Sequence, residues 1–354
     1  MNVKMKATLA GAAAALAMAS VPGTAMARDT ISIVGSSTVY PFATVVAERF
    51  GRNSDFATPK IESTGSGGGM KLFCQGVGLQ HPDVTNASRR MKSSEFELCQ
   101  KNGVKEITEV QIGYDGLAVA NSVNAKDMDI SLRDLFLALA KEVPNPNGKE
   151  ELVANPYKTW KEVNPALPNV KIEVVGPPPT SGTRDSFNEL GIEGGCKTFP
   201  WLKAMKSEDK SKYKSVCRSI REDGAYVEAG ENDNLIVQKL ESNPNAVGVF
   251  GYSFLEENTS IVKPVTIGGV APGPETVSSG EYPMSRSMFF YVKKAHVGVV
   301  PGIEGYVKEF TSERAWGNDG YLVEKGLIPS ADSEREKWGK QAKNLKPMTG
   351  KEFK

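Results

Sequence analysis

The chain has 354 residues, of which 40% are hydrophobic and 24% are charged, so it is long enough for about two globular domains and too apolar for a disordered chain. The formal net charge is +1; the first 27 residues carry two lysines and no acid, so 41 basic and 42 acidic residues follow them. This balance argues against a nucleic-acid-binding protein that depends on a strongly cationic surface, and any anion must be held by local geometry.

The first 27 residues have the pattern of a secretory signal peptide. Lys4 and Lys6 precede an alanine-rich apolar run, which is followed by Ala25-Met26-Ala27. This order predicts export, cleavage after Ala27 and a mature chain that begins at Arg28. A retained membrane anchor is the alternative, but the run from Ala7 to Val21 is shorter than the roughly 20 residues that a span needs.

Short strand patterns alternate with helical patterns along the mature chain, which is typical of an α/β architecture. Strands are predicted at Ile31–Val34, Lys171–Val175, Ala246–Phe250 and Met288–Val292. Helices are predicted from about Pro41, after a Ser131 cap, and over Ile303–Phe310. The Pro- and Asn-rich segment from Val143 to Asn169 is predicted to be a surface excursion.

Three small-residue turns follow predicted strands, and each resembles a place where a backbone can hold an anion. The turns are Gly35-Ser36-Ser37-Thr38-Val39-Tyr40-Pro41, Thr64-Gly65-Ser66-Gly67-Gly68-Gly69-Met70-Lys71 and Thr180-Ser181-Gly182-Thr183-Arg184. Free N–H groups at a helix start can bind an oxyanion, and Ser and Thr hydroxyls add donors. Ordinary helix capping is the alternative for any one of these turns taken alone.

The cysteines predict disulfides in an exported chain. Cys74, Cys99, Cys196 and Cys217 lie 25, 97 and 21 residues apart, and three pairings into two disulfides are possible. The simplest pairing joins sequence neighbours, Cys74–Cys99 and Cys196–Cys217. A zinc site of four cysteines is the alternative, but the spacing does not suit one.

Motifs of common phosphate-using and hydrolytic enzymes are absent from the sequence. It contains no G-x-x-x-x-G-K-[ST] loop and no G-x-S-x-G turn. The only histidines are His81 and His296, and we expect both at the surface rather than in catalysis. An enzyme is therefore not the favoured interpretation.

Taken together, the motifs resemble those of the PstS family, the periplasmic phosphate-binding proteins that feed an ABC transporter. The resemblance covers essentially the whole mature chain. Besides the three turns, it includes Asn86-Ala87-Ser88-Arg89, Asn232-Asp233-Asn234 and Ala246-Val247-Gly248-Val249-Phe250-Gly251-Tyr252.

This resemblance implies a two-lobed α/β fold of the type II periplasmic-binding-protein class, in which each lobe is a mixed sheet flanked by helices and two strands form a hinge. We expect the first lobe at 28–114 and 255–354 and the second at 115–254. It also implies a non-enzymatic, monomeric periplasmic receptor that uses no cofactor and no metal and binds no nucleic acid. The receptor would close on one inorganic phosphate and deliver it to an inner-membrane ABC permease complex. A secreted phosphohydrolase and a matrix or adhesion protein that retains the fold are the alternatives.

The resemblance also implies ligand-binding residues, taken position by position. The first turn would contribute Thr38 through its hydroxyl and backbone and Val39 through its backbone N–H, with Ser37 adjacent. The glycine-rich turn would contribute Ser66. The third turn would contribute Ser181, Gly182 and Thr183.

Two positions depart from the pattern of some family members. Arg89 stands where those members have an aspartate that accepts the phosphate proton, and Pro177 stands where they have an arginine. We expect Arg184 to replace that arginine and Arg89 to bind the ligand too, because a guanidinium suits a tetrahedral oxyanion. A salt bridge at the surface or between the lobes is the alternative for Arg89.

The proton acceptor, and with it the selection of phosphate over sulfate, stays open at the level of sequence. A carboxylate that takes the phosphate proton would exclude sulfate, which has no proton at neutral pH. Asp115, near the expected hinge, is one candidate, with a hinge hydrogen bond as its alternative role. Asp185 is the other candidate; its alternative role is to stabilise a helix N-terminus or to pair with Arg184.

Overall fold

A computed structural model describes residues 28–230 and 233–353, so the predicted signal peptide and Asn232 lie outside the described residues. The first part of the chain alternates short strands and helices. These are β1 (Ser32–Gly35), α1 (Tyr40–Asn53), β2 (Lys60–Ser63), α2 (Ser66–Phe73), β3 (Val84–Ala87) and α3 (Ser93–Lys101). β2 and β3 both pair with β1 in parallel, which makes β1 the centre of this group.

A long strand, β4 (Ile107–Ser122), then leads into a second group of elements. The strands of this group are β5 (Asp129–Ile130), β6 (Glu142–Pro144), β7 (Leu152–Ala154), β8 (Val174–Gly176), β9 (Tyr226–Glu228), β10 (Val247–Gly251), β11 (Val262–Pro264) and β12 (Thr266–Ile267). Its helices are α4 (Leu132–Leu139), α5 (Trp160–Val163), α6 (Gly182–Phe187), α7 (Glu193–Cys196), α8 (Pro200–Glu208), α9 (Lys210–Cys217), α10 (Asp233–Ser242), α11 (Tyr252–Glu257) and α12 (Pro274–Ser278). A π-helical turn at Asn188–Ile192 joins α6 to α7.

The chain returns to the first group through a second long strand, β13 (Ser285–Lys293), and ends in helices. These are α13 (Ile303–Phe310), α14 (Glu313–Trp316) and α15 (Asp332–Lys343), with short 3-10 turns at Lys294–His296, Val323–Lys325 and Lys351–Phe353.

Two strands connect the two halves of the structure. The sheet order is β2-β1-β3-β13-β4-β10-β8-β9, with β11 also on β4. The first half of β4 pairs antiparallel with β13, and from Leu117 onward β4 pairs with β10 instead. The pairing shifts register between Met288 and Phe289, and Gly113 on the opposite strand has φ +142°. A Cβ at Gly113 would lie 2.7 Å from the Ile328 carbonyl oxygen, so this position requires glycine.

Each half has its own core. In the first half the sheet is covered on both faces, because alternate residues of β13 point to opposite sides. Phe290 and Val292 pack with α1 and α13, whereas Phe289 and Tyr291 pack with α2 and the Cys74–Cys99 region. A separate, larger core forms around β8, β10 and the second half of β4. The two-lobed α/β fold expected from the sequence is confirmed.

The position of the second lobe boundary is less simple than the sequence suggests. β11 pairs with β4 at Ser122 to Ala120, and the second core includes Val277, Tyr282 and Met284, with Ile328 as its one member from after β13 among the described residues. We therefore propose that the second lobe ends at Met284 instead of at residue 254, because β13 is the strand that carries the chain back.

The predicted elements are found with shifts of one to three residues at the strand starts. Ser131 caps α4, since its Oγ accepts a hydrogen bond from the Asp134 N–H at 3.1 Å. The Val143–Asn169 segment is mostly exposed, but Trp160 within it is fully buried. His296 is buried as well, contrary to the expectation, because its ring lies between the Asp83 carboxylate and the Val77 carbonyl.

Both disulfides have the pairing that joins sequence neighbours. Cys74–Cys99 ties the end of α2 to α3, and Cys196–Cys217 ties α7 to α9. Within residues 28–230 and 233–353, we find no helix with the length and apolar character needed to traverse a bilayer.

Candidate functional site

The turn after β1 is built by one glycine and one serine. Gly35 has φ +137°, and a Cβ there would lie 2.1 Å from the Asn86 carbonyl oxygen, so the chain can bend into α1 only with glycine. The buried Ser36 Oγ accepts hydrogen bonds from the N–H groups of Thr38 at 3.2 Å and Val39 at 3.4 Å. Val39 itself is fully buried and lines neither of the cavities described below, and its N–H is held by Ser36.

The turn after β8 meets the turn after β1 across the lobes. Ser181 caps α6, since its Oγ accepts from the Thr183 N–H at 3.1 Å. A Cβ at Gly182 would lie 2.8 Å from the Ser37 carbonyl oxygen, so glycine is what allows this close approach. The Ser37 hydroxyl donates to Asp185 Oδ2 at 2.9 Å.

Arg286, near the start of β13, lies where the two turns meet. Its side chain is only 8% exposed. Nη2 donates to the hydroxyls of Thr38, from the first lobe, and Ser186, from the second. Nε lies 3.3 Å from Asp115 Oδ2, and Nη1 lies 3.1 Å from Glu189 Oε2. One guanidinium therefore faces hydroxyls from both lobes and is balanced by two carboxylates.

The glycine-rich turn places Ser66 beside the end of β3. Ser66 Oγ accepts from the Ser88 N–H at 3.0 Å and lies 3.1 Å from the Ser88 Oγ. Arg89 follows, but both arms of its guanidinium contact Glu95 Oε1 and Oε2 at 2.7 and 2.9 Å. This hydrogen bonding to Glu95 raises the pKa of Arg89, which stays charged. Arg89 thus forms the salt bridge that was its alternative role.

Arg184, the expected replacement for the missing arginine, points elsewhere. Its Nη1 donates to the Pro177 carbonyl oxygen at 3.1 Å, and its guanidinium carbon lies 4.1 Å from the centre of the Tyr226 ring. The side chain is buried and lines neither of the two cavities at the lobe junction. Arg286 supplies the buried cation there instead.

Two cavities adjoin at Ser37 and Thr38. The smaller, about 440 Å³, is lined by both turns together with Asp115 and Ser186, and it includes Ser181, Gly182 and Thr183. The larger, about 800 Å³, is lined by Ser36, the glycine-rich turn with Ser66, Ser88, Arg89 and Arg286. Thr38 therefore borders both cavities, whereas Ser66 and Thr183 line different ones.

The two carboxylates considered as proton acceptors have different surroundings. Asp115 accepts from the Ser186 hydroxyl at 3.3 Å and contacts Arg286, so it faces the junction of the lobes. Asp185 is held by the Ser37 hydroxyl and lines only the larger cavity. Across the described parts of the chain, no group of three or more His, Cys, Asp or Glu side chains could hold a metal ion.

Sequence reasoning missed Arg286. One feature of the sequence could have indicated its role: a charged residue stands between two serines, Ser285 and Ser287, directly before an apolar strand. A charge at the start of a buried strand needs a partner, and the register places Arg286 opposite Asp115. Neither partner could be identified before the strand pairing was known.

Two lobes joined by two strands, with a polar cleft at their junction, define the class of two-lobed substrate-binding proteins. The model of the PBP superfamily domain matches residues 20–314. The chain belongs to this superfamily and, within it, to the PstS family of phosphate-binding proteins. It is 30% identical to the phosphate-binding protein PstS of Staphylococcus haemolyticus, over 73% of this chain and 69% of that protein.

Further relatives agree with this assignment. The chain is 29% identical to the protein SphX of Synechococcus elongatus, over 76% of this chain and 71% of SphX. The crystal structure of a possible phosphate binding protein from Planctomyces limnophilus matches with a TM-score of 0.68 and 28% identity, over 89% of this chain and 98% of that one. An ABC-type phosphate transport receptor from Vibrio cholerae, at 19% identity and a TM-score of 0.55, shares the fold. The resemblance noted in the sequence is confirmed.

Proposed function

We propose that this protein is an exported, non-enzymatic receptor that captures inorganic phosphate between its lobes and delivers it to an ABC permease in the inner membrane. The observation that carries the proposal is the contact of Arg286 with Thr38 and Ser186. One buried guanidinium thereby donates to hydroxyls that belong to different lobes. Family membership and the names of the relatives support the same ligand.

The chemistry of the junction suits a phosphate ion. Phosphate offers several acceptor oxygens, and Arg286 can donate to them in place of its present contacts with the Thr38 and Ser186 hydroxyls. Ser37, Thr38, Ser181, Gly182 and Thr183 line the smaller cavity, and the Thr38 and Ser181 hydroxyls can add neutral donors. The Ser37 hydroxyl already donates to Asp185, and the Thr183 N–H already donates to Ser181 Oγ. A ligand held by both lobes would stabilise their closed arrangement, so capture would be coupled to a hinge motion of β4 and β13.

Asp115 is the carboxylate we propose as the proton acceptor. It lines the smaller cavity and contacts both Ser186 and Arg286. A bound phosphate that carries a proton could donate it to Asp115, whereas sulfate would place two anions side by side without a shared proton. In this proposal Arg89 contributes no direct contact, because Glu95 occupies its guanidinium.

Calorimetric titration of the mature chain, residues 28–354, with phosphate, sulfate and arsenate tests the proposal. We expect one phosphate per monomer, similar binding of arsenate and no measurable binding of sulfate. Absence of phosphate binding would overturn the proposed function. In parallel, metal-dependent hydrolysis of a chromogenic phosphate ester would support the alternative of a secreted phosphohydrolase. Intact phosphate binding together with phosphate uptake that does not depend on the gene would support the matrix or adhesion alternative.

A further inference from the structure

The larger cavity concentrates positive charge in a protein that is nearly neutral overall. It is lined by eight cationic side chains, Arg89, Lys92, Lys197, Lys206, Lys210, Lys214, Arg218 and Arg286. Among the described residues, only four carboxylates line it, Glu95, Asp185, Glu189 and Glu193. We call it the cationic cavity. The smaller cavity has the opposite balance, since Asp115 and Asp233 face a single lysine, Lys325.

Each carboxylate of the cationic cavity already has a donor. Glu95 binds Arg89, and Glu189 binds both Arg218 and Arg286. Asp185 accepts from the Ser37 hydroxyl.

Glu193 contacts more cationic side chains than the other three acids do. It contacts Lys197 at 3.1 Å, Lys206 at 3.0 Å and Arg218 at 2.5 Å. No acid that lines the cavity is therefore left to neutralise its remaining lysines.

Three lysines of the cationic cavity have no such neutralisation. Among the described residues, no carboxylate oxygen lies within 4.0 Å of the Lys92, Lys210 or Lys214 ammonium groups, and all three side chains are exposed. Lys92 precedes α3 in the first lobe, whereas Lys210 and Lys214 lie on α9 in the second. The cations thus face one another across the cleft.

These neighbouring cations affect the pKa of Lys92. Its pKa is lowered first by Arg89 and by burial; Glu95 opposes this, and Lys210 and Lys206 of the opposite lobe lower the pKa further. One phosphate at Arg286 leaves this charge in place. An anion that extends from Arg286 into the cleft would neutralise it and bring the lobes together.

We propose that the cationic cavity binds the additional phosphoryl groups of an inorganic condensed phosphate whose terminal group occupies the site at Arg286 and Thr38. This inference rests on the proposed function, because it takes the phosphate site as its starting point. Lys92, Lys210 and Lys214 would contact the second and third phosphoryl groups. At about 800 Å³ the cavity has room for such a chain.

The lining favours a bare phosphate chain over a nucleotide. Tyr213 is the only aromatic residue among the described residues that line the cationic cavity, and it is buried with its hydroxyl on Glu193 at 3.2 Å. A nucleobase would find no exposed ring on which to stack, while every phosphoryl group would find a cation.

Calorimetry with orthophosphate, pyrophosphate, tripolyphosphate and ATP tests this inference on the mature chain in metal-free buffer. We expect tripolyphosphate to bind about tenfold more tightly than orthophosphate, with a steeper loss of affinity as salt is added. ATP should bind more weakly than tripolyphosphate. ATP binding at equal or higher affinity would overturn the assignment to an inorganic chain.

The triple variant K92Q/K210Q/K214Q provides the decisive comparison. It should lose about tenfold in tripolyphosphate affinity and keep orthophosphate affinity within about twofold, because three proposed lysine contacts to the second and third phosphoryl groups are removed and Arg286 is unchanged. The matched control, K101Q/K239Q/K308Q, removes three exposed lysines that line neither cavity and should change neither affinity. Equal tripolyphosphate affinity in the two variants would overturn the inference.

Failure of the inference can be distinguished from failure of the proposed function. If orthophosphate binds and tripolyphosphate binds no more tightly, the inference is wrong and the phosphate receptor stands. If tripolyphosphate binds through the three lysines and orthophosphate does not bind, the cationic cavity stands and the proposed ligand is wrong. If neither binds, both are wrong.

Discussion

Asp115 and Arg286 are register partners on the two strands that join the lobes, and Asp115 Oδ2 lies 3.3 Å from Arg286 Nε. The proposed phosphate site is thus centred on the two strands that join the lobes. Movement of β4 against β13 would change this contact directly, which links the charge at the site to the relative position of the lobes.

The first prediction concerns the cation. Arg286→Gln should weaken phosphate binding roughly tenfold to hundredfold, because a hydrogen bond to a charged group contributes about 1.5–3 kcal/mol. Arg286→Lys should recover part of the loss, since it keeps the charge but not the two-armed geometry. Titration calorimetry gives the dissociation constants.

The matched control is Arg184→Gln, which alters a buried arginine that contacts Pro177 and Tyr226 instead of the cavities. Its phosphate affinity should stay within about threefold of the parent, although its stability should fall because a buried hydrogen bond is lost. A larger loss of affinity in Arg184→Gln than in Arg286→Gln would assign the ligand cation to the residue that the sequence suggested.

The second prediction concerns selectivity. Asp115→Asn replaces a carboxylate by an amide of similar shape, so repulsion of a fully ionised anion is removed. We expect the variant to bind sulfate measurably while its preference for phosphate falls. Asp185→Asn is the control, since Asp185 is held by Ser37 and should not affect sulfate binding. Sulfate binding by the control alone would make Asp185 the proton acceptor.

The α/β alternation, the disulfides and the main turns could be predicted because each depends on local sequence, whereas the two-lobed arrangement was implied by the family resemblance. Strand, small-residue turn and helix follow one another within a few residues at Ser36–Tyr40 and at Ser181–Thr183. Cysteine pairs 25 and 21 residues apart likewise join neighbouring helices.

The cation of the site could not be predicted in the same way. Arg286 and Thr38 lie 248 residues apart, and only the pairing of β13 with β3 and β4 brings them together. The direction of Arg184 depends on Tyr226, which belongs to a different strand. The salt bridge of Arg89 was easier to predict, because its partner lies only six residues later. That partner, Glu95, caps α3 and also binds the Arg89 guanidinium.

The third prediction concerns a buried carboxylate. Burial raises the pKa of Glu193, but Arg218, Lys206 and Lys197 outweigh it and lower the pKa to about 2 from 4.5. Its side chain is 3% exposed. An acid with a lowered pKa stabilises the fold above its unfolded pKa, and that stabilisation is lost as the pH falls from 4.5 toward 2.

Glu193→Gln should therefore lower the free energy of unfolding by about 3 kcal/mol at pH 7, since it leaves three cations without their shared partner. The difference between parent and variant should shrink as the pH is lowered through this window. Urea unfolding at pH 7, 4 and 3 measures it, with the exposed Glu208→Gln as the control. A difference that stays constant with pH would contradict the assignment of the effect to the charge.

The last prediction separates the roles of the two disulfides. All four cysteines are fully buried, and each bond closes a loop of 21 or 25 residues. Removing either pair as a double alanine variant should lower the free energy of unfolding by about 3 kcal/mol, because the unfolded chain regains loop entropy. Their effects on ligand binding should differ.

Cys217 is the last residue of α9, the helix that carries Lys210 and Lys214. The Cys196→Ala/Cys217→Ala variant should therefore loosen the attachment of α9 to α7 and make the positions of these two lysines less fixed. Its tripolyphosphate affinity should fall severalfold while its orthophosphate affinity is kept. Cys74→Ala/Cys99→Ala instead frees α2, which begins at Ser66, and should weaken both ligands together. Equal changes for both ligands in both variants would show that the disulfides act on stability alone, since neither would then position one part of the cleft relative to the other.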